Sequence, residues 1–526
     1  MQQVAQDARD YYDRKKTGAQ LGIFWDPRLP NLFPVEPMDN AQFCKCDECA
    51  KWINKNDEES IFFSNGRDSD YFFNFINEVA KELKKTHPDK GIITLAYHTH
   101  TAPPTRVKLA PSVAVQYCFA CNRLVYDRPS YERELEYLKE WGKESKKRRM
   151  YLWLYYTFPY EVSVGGRFHC FPGYFAHAIG EQFKLFHKYG YRGFFHCGYG
   201  QEVEAYITYK LMVDPTLDVD QLLDEYFGNL YGAAATPMKQ IYLEIEKTYC
   251  DPQSYPPNIA SGRLETHHHQ TEDLAWGWLG TPERMERWGG LLEQAKASAR
   301  TDRERKCIEL FEKGTWSYMV EGQQKYVIRK ALKAEPVPKA QAPRVDPAGG
   351  DHNKVDWGRA GVLGRWRGIA GDATQRHIDA RIAHDGEFLY LRLSEKGDLA
   401  SPGSSPLIYD ADDWEVFIAG QNGGPAYRQI STNPEGKWQA LKYESLRNGK
   451  PWKVDAKVIS KVTDERDEWT AWFVLPLSHV TDSGATSGST LYVNVFRGNR
   501  ADPLAWSPTF EASFHVLERL GEVRLE

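Results

Sequence analysis

Along roughly the first 215 residues, short unbroken apolar runs alternate with stretches whose apolar positions recur every three to four residues. The runs are LFPVEP (32–37), GIITLAYHTH (91–100), VAVQYCFAC (113–121), MYLWLYYTF (150–158) and GFFHCGYG (193–200). Between them lie the amphipathic stretches YFFNFINEVAKELKK (71–85), YERELEYLKEWGKES (131–145) and YFAHAIGEQFKLFHKYG (174–190). Continuous apolar strands separated by one-sided helices predict a parallel sheet covered on both faces. A closed (β/α) barrel uses about eight strands. Five runs therefore predict a partial TIM-type barrel over 1–215, lacking its first strands and entered at the third helix. The chain is accordingly expected to be N-terminally incomplete or to have the rest supplied by a partner.

Residues 216–334 keep a helical period and predict a helical extension, with Asp218 as an N-cap and Gly232 as a stop. The segment EPVPKAQAPRVDPAGG (335–350) has no period and reads as a Pro/Ala-rich linker. From 351 to 526 the texture becomes short alternating strands, among them FLYLRLSE, DWEVFIAG, WTAWFVLPL and LYVNVFRG, broken by NGG, NPEG and RNGKP. Such spacing predicts an all-β sandwich. The fold class expected is thus α/β for the first part, joined to a β-sandwich.

Charge narrows the partners. Lys plus Arg number 67 against 72 Asp plus Glu, a net charge of −5, so there is no broad pull toward nucleic acid or an anionic membrane. No run of apolar residues is long enough to predict a membrane span, and the polar start MQQVAQDARDYYDRKKTG does not read as a signal peptide. Aromatics make up 13% of the chain, with 16 Trp and 30 Tyr. Flat rings with a polar tip suit sugar faces and hydroxyls, so a neutral glycan is the expected partner.

In such barrels the chemistry sits at the carboxyl edge of the strands. The polar and aromatic groups expected there are Glu36 and Asp39, then Tyr97, His98 and His100, then Trp153, Tyr155 and Tyr156, then Tyr199, Glu202 and Glu204. Trp153 and Tyr155 share a strand face, and Tyr156 takes the other. His98 reads equally as a core histidine, and Glu202 as the start of a helix. Nine cysteines are too few for a disulfide scaffold. Cys46 and Cys49, in the run that starts at Cys44, pair by spacing with Cys118 and Cys121 as a weak structural-zinc set, with disulfides or unpaired thiols as the alternatives. The His267, His268, His269 triplet reads as surface. No cofactor is expected. In the sandwich, Trp414, Trp438 and Trp506 are candidates for stacking on sugar, and Asp412 with Asp413 reads as a solvated pair rather than a calcium site.

Three segments, LFPVEPMDNAQFCKCDEC, FFNFINEVAKELKKTHPDK and GIITLAYHTHTAPP, resemble the domain-of-unknown-function family 4838, and YITYKLMVDPTLDVDQLLDEYFGNLYGAAATPMKQIY resembles the helical region that follows its barrel. That family is related to glycoside hydrolase family 163, which contains endo-β-N-acetylglucosaminidases, and more distantly resembles families 20 and 67. The segments DGEFLYLRLSE, DADDWEVFIAG, YRQISTNPEGKW, WTAWFVLPLS and LYVNVFRGNRADPLAWSPT are similar to the family 9 carbohydrate-binding module.

The first resemblance implies a glycoside hydrolase, with an N-acetylhexosamine-containing glycan as substrate and export as the destination. Glycosidic cleavage needs an acid at the leaving oxygen and a second group at the oxocarbenium-like centre. Glu36 is expected to be the acid and Asp39 its partner, and burial beside apolar groups is expected to raise the acid's pKa. In family 20 the two acids are adjacent, whereas Pro37 and Met38 separate them here. The alternative is a glycan-binding protein whose barrel does no chemistry.

Overall fold

The computed structural model describes all 526 residues except 24–30, 41, 58–59, 61, 121–126, 158–163, 165–166, 199–200, 261–269, 398–407, 411, 446–448, 464–467, 499–501 and 512. The chain divides into two units, Met1–Tyr326 and Val327–Glu526.

The first unit is built on five parallel strands in sequential order: β1 (Leu32–Pro34), β2 (Gly91–Ala96), β3 (Val113–Phe119), β4 (Met150–Thr157) and β5 (Phe194–Gly198). They form a curled half-barrel sheet. The register runs Pro34 to Ile93, Ile93 to Ala114, Gln116 to Tyr151 and Trp153 to Phe195.

Each strand turns alternate residues to opposite faces. Phe33, Val35, Ile92, Val115, Tyr117, Phe119, Leu152, Leu154 and Tyr156 join one buried core with the helices. Helix Ser69–Lys84 brings Phe72, Phe73, Ile76, Val79, Ala80 and Leu83 to that core at three- to four-residue spacing. Trp141, fully buried at the end of helix Arg128–Gly142, donates its indole N–H to the Thr101 carbonyl at 2.8 Å. The opposite sheet face begins with a small cluster of Leu32, Ile93 and Ala114, with Tyr151 packed on it.

After β5 the unit is helical, from Glu202–Val213 onward. Asp218 caps Val219–Tyr231 by accepting the Gln221 N–H at 3.0 Å, and Gly232 ends that helix at a φ of 50°. This left-handed backbone is one glycine adopts without strain.

In the second unit, two largely antiparallel sheets face one another. One orders Lys457–Val462, Glu468–Pro476, Phe388–Lys396, His377–His384 and Gly361–Val362. The other is nine-stranded and centres on Asp413–Ala419 between Tyr427–Thr432 and Thr490–Gly498. Leu389, Leu391, Leu393 and Phe473 from the first meet Trp414, Val416, Ile418, Val493 and Val495 from the second in a shared core.

The stretch 335–350 differs from the linker expected of it. Lys339–Ala342 is a strand paired in parallel with Gly521–Leu525, and Ala342 is fully buried. Proline is confined to the flanks of this strand, where it costs no ladder hydrogen bond.

Candidate functional site

Period-two alternation carries the small Leu32, Ile93, Ala114 and Tyr151 cluster upward along each strand, past Pro34, Leu95, Gln116 and Trp153, to a last row at the carboxyl edge. That row is Glu36, Tyr97, Cys118, Tyr155 and Cys197. The β1–β2 pairing continues beyond Pro34, since the Val35 N–H donates to the Ile93 carbonyl at 2.9 Å. The Thr94 hydroxyl then holds the Val35 carbonyl at 2.7 Å. Glu36 is therefore aimed by ladder geometry, and its Oε2 accepts the Leu95 N–H at 2.9 Å.

Glu36 is open to solvent on one side, yet enough protein surrounds it that desolvation pushes its carboxyl well above the usual range, outweighing the Leu95 bond that favours the charge. Solvent on the exposed side of Glu36 tempers this shift. The apolar wall differs from the one expected: Phe33 and Val35 belong to the helix-side core, and Met38 is exposed.

Cys118, buried on β3, feels the Glu36 charge and receives a hydrogen bond from the Tyr155 hydroxyl; burial raises its thiol far above the ordinary value. Burial raises the Tyr155 phenol as well, with Cys118, Tyr97 and Cys197 adding to the shift. These mutual effects place Glu36, Cys118, Tyr155 and Tyr97 in one neighbourhood. Trp153 lies one layer below, with its ring 6.4 Å from Tyr155 and 4.3 Å from Phe195. Tyr156 turns away and bonds Gln182 at 2.5 Å on the helix side.

His98 occupies a left-handed backbone at a φ of 51° and stacks on Phe63 at 4.4 Å. Desolvation lowers its pKa, with Arg67 lowering it further and Asp39 and Asp68 opposing. Asp39 thus accompanies His98. No second carboxylate acts on Glu36 among the described residues. Tyr199 and Cys121 lie outside the described residues, as do His267, His268 and His269.

Glu202 is exposed in the first turn of helix Glu202–Val213. Two residues on, Glu204 is completely buried on the helix side, accepting from the Tyr242 hydroxyl at 2.5 Å and the Phe175 N–H at 3.2 Å. Its other oxygen has no partner, and burial lifts the carboxyl to about 8. A helical step of two residues, about half a turn, separates the solvated position from the core one.

The four-cysteine set is corrected: the sulfur atoms of Cys46 and Cys49 gather with that of Cys44, while Cys118 lies on the sheet face that carries Tyr155. These three are free thiols.

In the second unit, Trp506 is corrected from a stacking surface to a core residue. It is 2% exposed and belongs to the core between the sheets, and a β-carbon on Gly521 would strike its ring. Trp414 is equally buried, and Trp438 is 42% exposed at the rim. Asp412 is held by Arg497 at 2.9 Å, and Arg497 also bonds Glu395 at 2.7 Å.

A polar row lies on the outer face of the nine-stranded sheet, and in it Asp413, expected to be solvated, is buried at 3% exposure. Gln429 donates to Glu415, the Tyr443 hydroxyl donates to Gln429 Oε1 at 2.6 Å, and Tyr427 stacks on Tyr443 at 4.2 Å. Burial raises both Asp413 and Glu415; Asp412 raises Asp413 further while Arg497 and Glu415 lower it, and Asp413 raises Glu415. Tyr409, 41% exposed, sits close enough to Glu415 to feel its charge, and burial raises its phenol. Only the alternation in DWEVFIAG hinted at this row, since it sets Asp413 and Glu415 opposite Trp414 and Val416.

Residues 29–244 match the family model of a domain of unknown function, DUF4838. No curated protein matches the chain. Among solved structures, the chain is similar to a candidate carbohydrate-binding protein from Bacteroides uniformis ATCC 8492, at 16% identity and a TM-score of 0.29, over 36% of this chain and 100% of that one. It is also similar to a family 9 carbohydrate-binding module from Caldicellulosiruptor kristjanssonii. In complex with cellotriose, that structure matches at 11% identity and a TM-score of 0.28, over 36% of this chain and 93% of that one. In complex with glucose it matches at 12% identity and a TM-score of 0.28, over 36% and 95%. Among the described residues no helix is long and apolar enough to cross a membrane.

Proposed function

We propose that the protein binds a glycan and that its first unit, a partial TIM-type barrel, hydrolyses a glycosidic bond at the carboxyl edge of β1–β5 with Glu36 as the acid. The observation that carries this reading is the condition of Glu36: a reachable carboxyl whose surroundings favour the protonated form, in a row with Tyr97 and Tyr155. A leaving glycosidic oxygen needs a proton as its bond to the anomeric carbon breaks, and a carboxyl that holds its proton more tightly than usual suits that role. Aromatic Trp153 and Tyr155 offer faces for the sugar ring and a hydroxyl for its substituents.

Among the described residues no second carboxylate acts on Glu36, a setting that fits a substrate supplying its own nucleophile. The acetamido oxygen of an N-acetylhexosamine attacks the anomeric carbon as Glu36 protonates the leaving oxygen. Water then opens the cyclic intermediate and returns a proton to Glu36. Asp39, beside His98, would orient the acetamido group. The resemblance to the endo-β-N-acetylglucosaminidase relatives supports the same substrate and an extracellular or periplasmic setting. In the second unit, the half-exposed Tyr409 ring beside Glu415 is the group we assign to sugar contact.

The same setting, among the described residues, also fits a second reading, glycan binding without chemistry. Release of reducing ends from N-acetylglucosamine-containing glycans by the full chain and by Glu36→Gln separates the two. A fall of at least about a thousandfold in the folded variant supports the hydrolase, given what general acids contribute. Glycan retardation in affinity electrophoresis with no release by the unaltered chain leaves binding alone.

A further inference from the structure

The loop that leaves β1 carries a second chemistry, separate from the Glu36 row. Phe43 precedes Cys44, and its ring packs 5.5 Å from Tyr71, 6.5 Å from Phe72 and 5.9 Å from His100. This apolar contact pins the loop to helix Ser69–Lys84. Cys46 follows in extended conformation, and the next residues turn at once into the short helix Asp47–Ala50, where the Ala50 N–H donates to the Cys46 carbonyl at 2.9 Å. One helical turn carries Cys49 back beside Cys46, and the backbone N–H groups of Cys49 and Glu48 point at the Cys46 sulfur. Cys44 closes the group from the other side. The three sulfur atoms all lie within 4.8 Å of one another, and the Tyr71 hydroxyl bonds Cys49.

Three arrangements of thiols compete at such a place. A disulfide joins two sulfurs at about 2.05 Å and leaves the third without a role. Three inert thiols need no convergence, and exposed Cys44 and Cys46 would be free to turn to solvent. A four-coordinate zinc ion, at about 2.3 Å from each sulfur, holds its ligands about 3.8 Å apart. The spacing here is within a small side-chain rotation of that figure. Backbone N–H groups aimed at a sulfur also match a thiolate that keeps negative charge while bound.

We propose that Cys44, Cys46 and Cys49 bind one thiophilic metal cation, zinc(II), with its fourth position beside the Tyr71 hydroxyl taken by water or another oxygen donor. Each thiol releases its proton as it binds, so uptake falls as the solution is acidified. The ion ties the loop bearing Asp39 to the helix bearing Tyr71 and supplies folding free energy to a segment with little apolar burial of its own.

The test uses the full chain, reduced and stripped of metal, titrated with cobalt(II). The expected result is one equivalent bound, with thiolate-to-cobalt charge-transfer absorption and tetrahedral visible bands, both erased by zinc(II). Cys44→Ser, Cys46→Ser and Cys49→Ser should each weaken binding by at least about a hundredfold, since each removes a ligand outright. Cys307→Ser, remote in sequence and outside the cluster, should change nothing. Because Cys44 and Cys46 are exposed, their serine variants retain the fold, and unaltered circular dichroism confirms it. A reduced chain that takes up no cobalt, a band that survives in Cys46→Ser, or a Cys46–Cys49 disulfide that re-forms in place of metal uptake overturns the proposal. Uptake of copper(I) with rejection of zinc(II) overturns the choice of ion.

Discussion

Across the first two strands of the parallel sheet, the Leu95 backbone N–H donates to Glu36 Oε2 at 2.9 Å. A single N–H favours the ionised form, but desolvation at the same place favours the neutral form more strongly. One strand edge therefore orients the carboxyl without ionising it. A proton donor requires both properties.

The pH profile follows from that balance. A Glu36 pKa raised above the ordinary carboxylate value means that the acid form persists as pH climbs through the range in which a free glutamic acid, near about 4.3, ionises. Activity that depends on protonated Glu36 should be retained there and lost only at higher pH. The measurement is kcat/KM against pH, and an alkaline limb at the ordinary carboxylate value would remove Glu36 from the acid role.

Glu204 makes a stability prediction. Its folded pKa, about 8, lies above that of the unfolded chain. The folded state therefore binds the extra proton, and stability is full below the unfolded value near about 4.3 and declines as pH rises toward 8. Glu204→Gln keeps an acceptor for Tyr242 and Phe175 but cannot ionise. It should match the unaltered chain at about pH 3.5, below the unfolded value, and exceed it by a few kcal/mol at pH 9, at about 1.4 kcal/mol for each tenfold in proton affinity. Denaturant midpoints at the two pH values check this, and parallel pH dependence in the two proteins would contradict it.

Trp506 and Tyr409 should separate stability from recognition in the second unit. Trp506→Ala opens a cavity between the sheets and should cost about 3–5 kcal/mol, read from a thermal or denaturant melt. Tyr409→Ala removes a half-exposed ring and should leave the melt nearly unchanged while abolishing retardation on glycan-containing gels attributable to this surface. Equal melts for both variants would show that Trp506 does not carry the core.

Much of the architecture is written locally. Alternation along MYLWLYYTF placed Trp153 and Tyr155 on one face and Tyr156 on the other, because the pleat of a strand depends only on its own backbone. Asp218 and Gly232 were legible as a cap and a stop for the same reason: each satisfies or ends a helix within a few residues. The three-to-four spacing of Phe72, Phe73, Ile76, Val79 and Leu83 likewise declared its helix.

The tertiary structure decided what those faces meet. Trp506 and Tyr409 are both aromatic residues near turn-rich sequence, and only the opposing sheet makes one core and leaves the other half open. Lys339–Ala342 became a strand because Gly521–Leu525, at the far end of its unit, offered a free edge. Cys46 and Cys49 met Cys44 rather than Cys118 because β3 commits Cys118 to the sheet face that carries Tyr155. The raised pKa of Glu36 and the position of Glu204 arise in the same way, since desolvation is a property of everything packed around a group and not of its neighbours along the chain.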